Sequence, residues 1–124
     1  MADGYTVKHW DDFERMEGSG GASWRLARKS LEGEAFGFNV VEIEPGGELP
    51  AHTEQESGQE EVYGVLDGEA VFVADGEEHP APAGTFIRLA PQVHRTIRNE
   101  SGSPARCFVI GVPTGSGYEP PGWA

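Results

Sequence analysis

The chain has 124 residues, a formal net charge of −12 and a single cysteine. That length builds one core rather than two. Its 21 acidic residues against 9 Lys and Arg leave no basic face for a phosphate backbone or an acidic membrane leaflet, so neither nucleic acid nor membrane is an expected partner. No apolar run approaches the roughly 18 residues of a spanning helix.

Residues 1–22 are polar, with Trp10 and Phe13 as their only bulky anchors, and read as an N-terminal arm closed by a glycine-rich joint at residues 18–21. Neither a basic start nor an apolar stretch is present there, so no secretory signal is expected. With Cys107 alone, no internal disulfide can form, which fits a reducing, cytoplasmic location. The apolar neighbours of Cys107 mark it as a small buried hydrophobe rather than a nucleophile.

Residues 23–28 read as a first edge strand. From residue 35 the strand signals become regular. Phe36, Phe38 and Val40 alternate with Asn39, Val41 and Ile43 over 35–44. A short extended piece at 48–53 and a polar loop lead to a strand at 61–66. Asp67 and Gly68 form a hairpin turn to 69–74, and Asp75 with Gly76 form a second to 77–80. Further strands are expected at 85–89, 94–98 and 105–112. Many short strands separated by turns rich in Gly and Pro (27 of these residues in all) point to an all-β, antiparallel sandwich or small barrel. The barrel domain spans 23–112. Residues 113–124 form an irregular tail whose Tyr118 and Trp123 are expected to pack on the barrel or on a partner.

The chemistry-bearing residues sit in two turn-bounded segments. In the first, Gly46 is followed after five residues by His52, then Glu54, and Glu61 is followed after six by Gly68. In the second, Gly84 precedes Ala90, Gln92, His94, Arg95 and Asn99. Alternate residues of a barrel strand face inward, so His52 and Glu54 share a face, as do Glu61 and Tyr63. Apolar Ile97 should face the core, which turns Arg95 inward and His94 to the rim. A one-residue shift at the turn formed by Ala90 and Pro91 would reverse that choice. The loop residues Gln55, Glu56, Gln59 and Glu60, together with His9 and His79, read as solvated surface.

These segments resemble the paired motifs of the cupin superfamily. The first keeps the Gly frame, the first His and the Glu, but Glu54 stands where the second His belongs, and six residues rather than three or four separate it from Glu61. In the second, Ala90 replaces Pro, Gln92 replaces Gly, and Arg95 replaces the ligand His. The resemblance covers residues 35–112 and implies a jelly-roll barrel, a homodimer paired through a strand edge, and a small molecule as partner.

Two functions follow from the resemblance. One is a metal-dependent enzyme, a dioxygenase or isomerase for example. Its iron, manganese, nickel or zinc would be held by His52, Glu61 and either Glu54 or His94. The other is a metal-free binding protein that takes a small polar or anionic ligand, such as a sugar or carboxylate, with His52, Glu61, Tyr63 and Arg95 lining the pocket. A guanidinium has no lone pair for coordination and would repel a cation, which favours the second. A third reading gives the pocket no role and places the function on the acidic surface.

Overall fold

A computed structural model describes residues 4–124. Among the described residues its nine strands are β1 (Arg15–Glu17), β2 (Ala22–Arg25), β3 (Gly37–Ile43), β4 (Gln59–Asp67), β5 (Glu69–Ala74), β6 (Glu77–Pro82), β7 (Phe86–Leu89), β8 (Arg95–Arg98) and β9 (Ala105–Pro113), with a 3-10 turn at Trp10–Asp12 and a short α-helix, α1 (Ala27–Leu31). They form two antiparallel sheets, ordered β1-β2-β3-β9-β4-β7 and β6-β5-β8. Outside these strands, residues 48–52 lie along β8 through bridges from Glu48 to Arg98 and from His52 to Arg95. The fold is the expected all-β sandwich closed into a jelly roll.

Strand alternation builds the core. Val41, Ile43, Tyr63, Val65, Leu89 and Cys107 from the large sheet meet Ala70, Phe72, Ala81 and Ile97 from the small one. Each large apolar side chain buried there contributes about 1.5–3 kcal/mol. Burial pushes the Cys107 thiol up to about 12, so it carries no thiolate at neutral pH. Asn99 closes the second motif from inside: its side-chain amide nitrogen donates to the carbonyls of Ile43 and Ser103, and its oxygen accepts from the backbone and hydroxyl of Ser101. It fixes the turn between β8 and β9, and no donor or acceptor of its side chain is left for a ligand.

The N-terminal region differs from the sequence expectation. The glycine-rich joint is a hairpin turn, and Arg15–Glu17 pair with β2, so β1 rather than β2 is the sheet edge. The chain also leaves the sheet after Arg25 and turns into α1 instead of continuing as a strand to residue 28. Residues 27–31 are good helix formers, but five residues are too few to show a helical period. Phe13, Ala27 and Val40, with Trp10, Leu31 and Phe38 against them, form a second apolar cluster on the outer side of the large sheet. Ion pairs fasten the same region. Glu42 accepts from Arg25 at 2.9 Å and Arg106 at 2.8 Å, and the Arg106 guanidinium lies 4.0 Å over the Trp10 ring. Burial opposes the Glu42 charge, but the two arginines outweigh it and hold its carboxyl below the usual range.

Of the two placements expected for the tail, the barrel is not the one seen: Tyr118 and Trp123 are 76% and 87% exposed in the single chain.

Two motif glycines have unequal roles. Gly46 and Gly68 both have positive φ, 79° and 80°. A Cβ on Gly46 meets nothing within 4 Å, whereas one on Gly68 would stand 2.6 Å from the Pro104 carbonyl oxygen. Gly46→Ala is therefore expected to cost about 1 kcal/mol and Gly68→Ala about 2–4 kcal/mol, read as urea unfolding free energies.

Candidate functional site

The site is assembled by one cross-strand pair. His52 N–H donates to the Arg95 carbonyl at 3.1 Å, and Arg95 N–H donates to the His52 carbonyl at 2.9 Å. Residues that exchange both backbone bonds in this way project their side chains from the same face. Ile97 fixes the parity of β8: it is fully buried, Arg95 is 1% exposed, and His94 points outward. The His94 backbone N–H is held by the Asp75 carboxylate, and that turn seats it away from the pocket. The structure therefore does not bring His94 into the proposed ligand set, and the one-residue shift does not occur.

From the mouth inward, the side chains grade from exposed to buried. His52 lies at the rim, its side chain 42% exposed. Its Nδ1 is 3.1 Å from the Pro50 carbonyl oxygen, which can only accept, so Nδ1 carries the proton. Its Nε2 faces Glu54 Oε2 at 3.2 Å. Glu54 is half-buried and reaches the site because its loop folds back: its N–H bonds the Pro91 carbonyl, and its own carbonyl accepts from Gly58. Glu61 on β4 lies deeper and accepts from the Tyr63 hydroxyl at 3.1 Å. Gly111 on β9 makes room for it, since a Cβ there would stand 3.1 Å from Glu61 Cγ.

Arg95 lies buried beside Glu61 and outside the lining of the cavity described below. Its Nη2 donates to the Ala90 carbonyl, while Nε and Nη1 are buried with no hydrogen-bond acceptor. Glu61 Oε1 is 3.8 Å from Nε, close enough for attraction and too far for a hydrogen bond. Burial raises the Glu61 pKa, and neighbouring Glu54 adds to the rise, against smaller lowering contributions from Tyr63, Arg95 and His52. Burial likewise pushes the Tyr63 hydroxyl far above its ordinary range, so it stays protonated and remains a donor.

His52, Glu61 and Tyr63 share a cavity of about 210 Å³ with Trp24, Asn39, Leu49, Pro50 and Val109. Trp24 and Asn39 join the wall in addition to the residues expected from sequence. Asn39 was within reach of a parity argument, since it shares a face with Val41 and Ile43. Trp24 follows only from the pairing of β2 with β3, where it sits opposite Val41.

The architecture is a two-sheet β-sandwich with a small cavity lined in part by His52 and Glu61. The family profile described as the cupin domain matches residues 39–111, well over half of the chain. The chain belongs to the cupin family. A search of curated proteins returns no significant match. Among solved structures, a sugar phosphate isomerase of the cupin superfamily from Silicibacter pomeroyi is similar at 28% identity, covering 88% of this chain and 76% of that one, with a TM-score of 0.77. A cupin protein from Bacteroides fragilis matches at 25% identity over 96% and 92% of the two chains, TM-score 0.76. A protein from Thermotoga maritima described as a predicted oxalate decarboxylase, 21% identical over 87% and 99% with a TM-score of 0.70, shares the fold.

The raised Glu61 pKa has a definite sign. The folded protein keeps a proton that the unfolded chain gives up near 4.5, so stability falls as pH rises from that value through the raised one. Glu42 titrates in the opposite direction, and a difference measurement separates the two. The stability of wild type minus that of Glu61→Gln is expected to decline with pH over this window in urea unfolding. A flat difference would show that the folded state does not perturb Glu61.

Proposed function

We propose that the protein binds a small oxyanion that also carries hydroxyl groups, a hydroxy acid or short sugar acid or phosphate, in the cavity beside Arg95. The observation that carries this reading is the buried Arg95 guanidinium with Nε and Nη1 lacking acceptors. Each orphaned buried donor costs about 1–3 kcal/mol, and an anionic oxygen would repay that cost with a charge-assisted bond. Glu61, Glu54 and Asn39 offer acceptors for hydroxyl donors, and the Tyr63 ring forms part of the wall. The cavity of about 210 Å³ is smaller than the roughly 300–1,000 Å³ of ordinary ligand pockets, which limits the ligand to a few carbons. The similarity to a sugar phosphate isomerase supports the same ligand chemistry.

A second reading, a metal-dependent enzyme, rests on a separate observation. One ligand atom each from His52, Glu54 and Glu61 lie within 4.8 Å of one another. One imidazole and two carboxylates suit iron, manganese or zinc, and the bond from Nδ1 to Pro50 leaves Nε2 as the coordinating atom. The residues fit such an ion, which when bound would polarise a ligand carbonyl or hydroxyl as a Lewis acid. Arg95 would then hold the far, anionic end of the ligand.

Binding is expected to be measurable by calorimetry with glycolate, glycerate or phosphoglycolate. Arg95→Lys keeps the charge beside Glu61 but loses the planar fork, and should weaken binding about tenfold or more. Unchanged affinity would remove Arg95 from the site. Elemental analysis of protein purified without an affinity tag separates the two readings. Near-stoichiometric iron, manganese, nickel or zinc that is lost in His52→Ala would overturn the metal-free form. Failure to take up any of these on titration would overturn the enzyme.

A further inference from the structure

At the end of the large sheet from which the tail leaves, two glycines stand side by side. Gly37 on β3 pairs with Gly111 on β9, and Gly111 pairs with Glu61 on β4. Neither glycine has a positive φ, so the backbone does not require them there. A glycine inside a strand weakens it and often marks a place where something approaches the backbone closely. At Gly111 that something is already present. A Cβ there would stand 2.6 Å from Gln59 Oε1, 3.1 Å from Glu61 Cγ and 3.3 Å from Glu61 Oε2, so these two side chains converge on one point. Gly37 is different. A Cβ there would meet the Gly111 carbonyl oxygen at 3.4 Å and Gln59 Oε1 at 3.9 Å, both ordinary contacts, so packing does not demand the missing side chain.

The two glycines open onto a cleft of about 340 Å³, lined also by Arg28, Glu34, Phe36 and Gln59. It continues the ligand cavity along one strand face: Gln59, Glu61 and Tyr63 alternate on β4, the first in the cleft and the other two in the cavity. Gln59 is half-buried rather than solvated, and no described residue bonds its side-chain amide. Arg28 donates to the Gly33 carbonyl at 3.3 Å and has no carboxylate partner among the described residues. Phe36, 48% exposed, adds an apolar wall.

We propose that this cleft is a second compartment of the ligand site and takes the uncharged, hydroxyl-bearing end of a sugar acid whose charged end lies toward Arg95. The proposal rests on the reading of the inner cavity as an oxyanion pocket. Charge selects the end. Arg28 and Glu34 place one charge of each sign on the cleft walls, so a second anion would meet Glu34 and a cation would meet Arg28. A hydroxyl both donates and accepts, and can use Arg28, Glu34 and both atoms of the Gln59 amide. The C–H face of such a chain suits the Phe36 ring. Size agrees. The inner cavity alone is below the usual pocket range, whereas the two compartments together fall within the roughly 300–1,000 Å³ of ordinary sites.

Calorimetry with a three-carbon and a six-carbon hydroxy acid, glycerate and gluconate, tests this. Wild type is expected to bind gluconate about tenfold or more tightly than glycerate. Gln59→Ala should lower that ratio about three- to tenfold. Gly37→Leu fills the cleft from an ordinary strand backbone, and should unfold in urea no more easily than wild type while bringing the ratio to about one. Should Gly37→Leu fail to fold, Arg28→Ala should lower the ratio in its place. Glucarate, which carries a carboxylate at each end, should bind more weakly than gluconate, and tighter binding would contradict the uncharged assignment. Glycerate binding with no gain for gluconate, or a gain that survives these variants, would overturn the second compartment and leave the inner pocket standing. Binding of neither acid would remove the inner pocket and the extension together.

Discussion

One permanent charge sets the terms for the interior of this barrel. Arg95 cannot be deprotonated, lies 1% exposed, and makes one side-chain hydrogen bond, to the Ala90 carbonyl. A cation in that position requires a negative group within reach, and Glu61 supplies it at 3.8 Å. Glu61 in turn is buried, pulled toward the neutral form by desolvation, and steadied by the Tyr63 hydroxyl. The three residues form a chain of mutual compensation that is incomplete at one point, the two unpartnered N–H groups of the guanidinium.

The mouth of the pocket obeys a different logic. His52 and Glu54 are partly solvated and face each other, and their positions derive from backbone bonds rather than from the core. The deep end is rigid because β8, β4 and β9 hold it, whereas the rim rides on the 48–58 segment.

How much of this could be read from sequence depended on the range of the interaction. The hairpins were legible because Asp75 and Gly76 both need positive φ, a local demand that only a few residue types meet. Arg95 was legible as inward because Ile97, two residues on, had to be. The return of Glu54 toward His52 was partly legible from alternation, but the loop bond to Pro91 that holds it was not, since its partner lies far along the chain. Helix α1 and strand β1 were missed because elements of five and three residues have no period to detect. The tail stayed open for a related reason: hydrophobicity says that Tyr118 and Trp123 need cover, not where the cover lies.

The large sheet is a wall with an apolar cluster on each side, and only one of those clusters is shared with the pocket. Phe13, Ala27 and Val40 pack on the outside, secured by Glu42 and its arginines near the surface. Salt screens such pairs while leaving the inner cluster intact. The molecule therefore has two tiers of cooperativity. In native-state hydrogen exchange the amides of β1 and α1 would open at lower free energy than those of β4 and β9, and the inner cavity would outlast the loss of the outer N-terminal layer.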